Sequence, residues 1–150
     1  MESRAYKKTI NNYLIMKKCI FFILAFIAGG IAIGQTGIPR AQSMFIYNFS
    51  RLIEWPASYK SGEFVIGVLG NSTVFDELET FTASKKVGNQ DISVVRFRDP
   101  EEITNCHILF VSFGKSNKMG EVLTRVGNKS TLIIGEKNGL ISSGAAINFI

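Results

Sequence analysis

The chain is 150 residues long and 46% hydrophobic, with 17 Lys/Arg against 12 Asp/Glu (formal net charge +5), two cysteines and one histidine. Length and apolar fraction suit one domain with a core of its own and exclude a polar, disordered chain. Two cysteines and a lone histidine exclude a disulfide-dense scaffold and a zinc site with Cys/His spacing.

The first recognisable element is a leader. Met16-Lys17-Lys18 precedes the apolar run "CIFFILAFIAGGIAI" (19–33), and the small residues Ala32 and Gly34 stand just before Gln35. A basic start, a short apolar run and a small-x-small exit read as a signal peptide over residues 16–34, cleaved before Gln35. The run falls short of the ~20 apolar residues a membrane-spanning helix needs. Cys19 opens the run instead of closing it, which argues against a lipid-modified cysteine at the cleavage point. Residues 1–15 are polar and read as an over-extended N-terminus, with Met16 as the initiator. Removing residues 1–34 removes five bases (Arg4, Lys7, Lys8, Lys17, Lys18) and one acid (Glu2), leaving twelve bases, eleven acids and a net charge of +1. Nucleic acid is therefore not an expected partner.

The mature chain, 35–150, opens with a helix over Pro39–Ile53. Ala41, Phe45, Phe49 and Leu52/Ile53 recur at helical spacing, Pro39 suits the first turn, and Pro56 forbids continuation through Trp55. "EFVIGVLG" (63–70) reads as a strand buried on both faces. "NSTVFDELETF" follows as a helix with Asn71 to Thr73 available as caps. "KKVGNQ" reads as a loop and "DISVVRF" (91–97) as the second strand. In "DPEEIT", Asp99 stands at a cap position and Pro100 at a first helical position. "HILFVSF" (107–113) is the third strand, "SNKMGEVLTRVG" a helix stopped at Gly127, "STLIIGE" (130–136) the fourth strand, and "AAINFI" (145–150) the start of a fifth. Strands alternating with helices predict a single α/β domain, a mostly parallel sheet with helices on both faces. Between strands two and three only about nine residues remain, fewer than a crossover helix usually takes. The apolar ending "INFI" would leave a sheet edge open, so the C-terminal part of the domain is expected to be missing.

Catalytic chemistry is sparse. His107 leads straight into a buried-type strand, where a lone histidine is more often structural than a base. Cys106, the one cysteine of the mature chain, points to the opposite face and behaves there as a small apolar residue. Ser112 in "VSFG" is not in a nucleophile-elbow pattern. "GVLGNS" (67–72) has two glycines where a dinucleotide fingerprint needs three, and it lacks the Gly-Lys-Ser/Thr of a P-loop. No cofactor, metal or catalytic residue is expected, and the chain is not expected to be an enzyme.

The remaining feature is "MFIYNFSRLIEWP" (44–56). Phe45, Phe49 and Leu52 are expected to fix the first helix to the sheet, with Pro56 presenting Trp55 and Glu54 near the surface. Tyr47, Glu54 and Trp55 are the candidate contacts for a partner or ligand, because an aromatic beside a polar group is a common interface anchor. For Tyr47 and Trp55, core packing stands equally open.

"FIYNFSRLIEWP", "FVIGVLGNSTVFDELE", "CHILFVS" and "GAAINFI" resemble, in order and spacing, the YfiR family of small periplasmic proteins, over residues 39–150. The resemblance implies an α/β fold, a periplasmic location and regulation. Family members bind the periplasmic domain of an inner-membrane diguanylate cyclase and hold it inactive, lowering cyclic di-GMP and biofilm formation. Others are expected to serve histidine kinases. Self-association as a homodimer is left open. Known repressors of this type carry disulfides, and the single mature cysteine here puts any such redox control in doubt. The alternative is a periplasmic small-ligand-binding protein using the crevice at the strand ends.

Overall fold

The computed structural model describes residues 37–150; the signal peptide expected over residues 16–34 and the expected over-extended N-terminus, residues 1–15, lie outside the described residues. The elements are α1 (Gly37–Leu52), β1 (Phe64–Leu69), α2 (Val74–Thr82), β2 (Lys86–Val87), β3 (Gln90–Phe97), β4 (Ile108–Val111), α3 (Met119–Val126), β5 (Leu132–Gly135) and β6 (Ile147–Asn148). They form one six-stranded sheet in the order β2-β3-β1-β4-β5-β6. The five strands from β3 to β6 are parallel, and β2 alone runs antiparallel, against β3. Among the described residues, no helix is long and apolar enough to cross a membrane.

The period-two alternation of each strand divides the core. Phe64, Ile66, Val68, Ile108, Phe110 and Ile134 point to one face, where Ile46 of α1 and Val74 and Leu78 of α2 meet them. Leu69, Leu109, Val111 and Ile133 point to the other, under Met119, Val122 and Val126 of α3. The central strands β1 and β4 are apolar on both faces because both are covered, as the unbroken runs in the sequence require. Taking the parallel strands alone, the order is second, first, third, fourth, fifth, a common doubly wound arrangement.

Three local expectations need correction. "KKVGNQ" is a tight hairpin, not a loop: Lys86 and Val87 pair with Asp91 and Gln90, with Gly88 supplying a φ of +57° in the turn. The short link between β3 and β4 holds no α-helix, only the 3-10 turn Pro100–Glu102. Ile103 follows that turn into the core and is 1% exposed. Asp99 does not cap this turn; Glu102 instead accepts the Arg98 amide at 2.8 Å. Asp99 is held by Lys115 at 2.6 Å, a hydrogen bond that keeps its carboxyl below the ordinary carboxylate value.

The third correction concerns α1. Its buried residues are Gln42, Ser43, Ile46 and Ser50. Phe45 and Leu52, expected in the core, are 53% and 81% exposed, and Phe49 is half-buried. The apolar sector of this helix is wider than the sector the sheet and α2 can cover. The helix is rolled so that small hydroxyl side chains sit at the close approach and one apolar flank is left outside.

Candidate functional site

The end of α1 is built around Trp55. The indole N–H donates to the Ser50 carbonyl at 2.9 Å, turning the chain back at Pro56. The ring meets Phe64 and His107 edge-on, at centroid distances of 5.3 and 5.4 Å. Trp55 is 7% exposed and belongs to the core, so what it can offer a partner is the rim that lines a neighbouring cleft.

His107 completes the cluster, stacked on Phe64 at 4.1 Å and edge-on to Tyr59 at 5.3 Å. Its Nδ1 accepts the Val65 amide at 3.1 Å and its Nε2 donates to the Tyr59 carbonyl at 2.7 Å. Both ring nitrogens are engaged by backbone, which is the structural role expected of it. Cys106 lies on the opposite face of the sheet, 1% exposed, and burial pushes its thiol up to about 11.

Glu54 is open to solvent, its side chain 93% exposed, with Lys60 at 3.8 Å. Glu54, Trp55, Ser50 and Lys60 form one wall of a cleft of about 390 Å³, and Val87 and Gln90 of the hairpin form the other. Tyr47 does not line this cleft. It lies on the flank of α1 that faces α2, edge-on to Phe81 at 5.8 Å, with its hydroxyl 3.4 Å from the Lys86 carbonyl. Cations surround the pair: Arg51 stands 5.6 Å from the Tyr47 ring, and Lys85 and Arg40 stand 4.2 and 5.9 Å from that of Phe81. The structure thus brings Glu54 and Trp55 together and sets Tyr47 apart.

The opposite flank of α1 carries a feature the sequence reading missed. Ile38, Phe45 and Leu52, at seven-residue spacing, stand 74%, 53% and 81% exposed. Phe45 lies 6.4 Å from Phe49 and 6.3 Å from Phe149, and Phe149 lies 6.3 Å from Phe110. The stripe therefore runs from α1 onto the residue after β6. A signal was present in the sequence: Ile38, Phe45 and Leu52 form their own heptad line, offset from Gln42, Ile46 and Ile53.

Among the described residues, no three His, Cys, Asp or Glu side chains gather as a metal site. A family model described as YfiR/HmsC-like matches residues 40–150. No curated protein matches the chain.

Proposed function

Because the chain belongs to the YfiR/HmsC-like family, we propose that it is a periplasmic, non-enzymatic regulator that binds the periplasmic domain of an inner-membrane signalling protein and represses it. The family is regulatory and periplasmic, which supports the location and the general role. The partner is a diguanylate cyclase or a sensor kinase; for a cyclase, repression lowers cyclic di-GMP and biofilm formation.

The observation that carries this reading is the outer flank of α1. Ile38, Phe45 and Leu52 leave a line of apolar side chains in solvent on a helix anchored by Ile46 and Trp55. A strip of this kind, on a rigid support, marks a surface for another protein. Glu54 with Lys60 supplies a polar contact at the helix end, and Tyr47 with its cations offers a secondary contact on the other flank of α1. Trp55 serves chiefly as the post that fixes this surface.

The test is the affinity of the protein for the periplasmic domain of a membrane diguanylate cyclase or sensor kinase of the same organism, by biolayer interferometry. Phe45→Asp is expected to weaken binding at least tenfold, and Tyr47→Ala to weaken it by less. No binding by the wild type, or equal binding by Phe45→Asp, contradicts the proposal. A second reading, capture of a small ligand, draws support from the cavity over Gly70 at the C-terminal ends of the strands. The two are compatible, since that cavity lies away from the apolar flank of α1.

A further inference from the structure

In a doubly wound sheet the loops leaving two adjacent strands go opposite ways at one point, and a crevice opens there at the carboxyl ends. Here that point falls between β1 and β4. β1 continues into α2 on one face, and β4 leads to α3 on the other. The crevice is present as a cavity of about 380 Å³ lined by Gly70, Asn71, Arg96, Arg98 and Lys115. Its lining comes from the segment after β1 (Gly70 and Asn71), the end of β3 (Arg96 and Arg98) and the turn after β4 (Lys115), so three separate elements converge on it.

The charge of the crevice is positive. Arg96 pairs with Asp76 at 3.1 Å and lies over the Phe75 ring at 4.1 Å, which fixes its guanidinium. Lys115 pairs with Asp99 at 2.6 Å. Arg98 has no ion-pair partner among the described residues. Arg96 and Lys115 are each paired with a carboxylate, while Arg98, whose backbone amide is held by Glu102, leaves its guanidinium without an ion pair among the described residues.

The floor of the crevice is a glycine for two reasons. Gly70 has a φ of +91°, and a methyl group there would meet the Ser112 hydroxyl and come within 2.7 Å of Lys115 Cγ. Directly against that glycine lies Ser112, 1% exposed, whose hydroxyl makes no hydrogen bond among the described residues.

We propose that this crevice binds a small anion bearing a phosphate or carboxylate group, held by Arg98 and Lys115 over Gly70. The proposal concerns ligand capture and does not depend on the partner of α1.

The test is a titration of the ¹⁵N-labelled full chain with sodium phosphate and, separately, with sodium succinate, at constant ionic strength. Saturable amide shifts are expected at Gly70, Asn71, Ser112 and Lys115 with at least one of the two, and the one that saturates identifies the anionic group. Arg98→Gln changes an exposed side chain and should preserve the melting temperature while weakening the apparent affinity at least fivefold. Shifts that never saturate, shifts spread equally over Lys85, Lys86 and Lys118, or an unchanged affinity in Arg98→Gln would each overturn the proposal.

Discussion

Cys106 and His107 are neighbours in sequence but belong to opposite sides of the sheet, one under α3 and the other beneath Trp55. The alternation of side chains along an extended chain dictates this separation, so it was legible from the sequence. For Cys106, burial raises the thiol to about 11 from an ordinary 9.0. The folded value lies above the unfolded one, so the stability linked to the protonated thiol is fully present below pH 9. It is lost as pH rises toward 11, because the unfolded chain releases its proton first; the full difference is about 3 kcal/mol. Urea midpoints should therefore fall more steeply between pH 9 and 11 for the wild type than for Cys106→Ala, and parallel curves would contradict the assignment. Trp55 was not settled by the sequence, since an indole beside a proline serves a core or an interface equally well. In the fold it spans Ser50, Phe64 and His107, and Trp55→Ala is expected to cost ~3–5 kcal/mol in urea denaturation. A cost below about 1 kcal/mol would show that the indole is not part of the core.

At the scale of elements, strands were the most legible. β1 and β4 lie within the runs 63–70 and 107–113 because a segment covered on both faces has no polar position to blur its ends. The hairpin at Lys86–Gln90 was hidden because two-residue pairing leaves almost no periodic signal. The roll of α1 was hidden for a different reason. Apolar periodicity defines a wide sector, but the part that is buried depends on which side chains are small enough for close approach, and here Ser43 and Ser50 take that place. Two substitutions separate the faces. Ile46→Ala, at a fully buried position, should cost about 2–5 kcal/mol, whereas Leu52→Asp should stay within ~0.5 kcal/mol of wild type. Thermal melts of the pair check this, and a large loss in Leu52→Asp would mean that the outer flank is packed in the folded protein.

At the scale of the whole molecule, the sheet supplies rigidity and the two features of interest lie on its periphery. The outer flank of α1 is apolar, while the crevice over Gly70 is cationic and sits at the ends of the strands. Fold class and family were legible because each segment, taken in order, had the right period and length. The surfaces were less legible, because exposure is a property of the assembled layers and not of any one segment. In the proposed function, α1 is the surface through which this regulator engages a membrane signalling protein. The deciding measurement is hydrogen–deuterium exchange with and without the periplasmic domain of that cyclase or kinase. New protection is expected in residues 38–56, with the α3 segment unchanged. A complex that protects α3 or another surface and leaves residues 38–56 exchanging as in the free protein would contradict it.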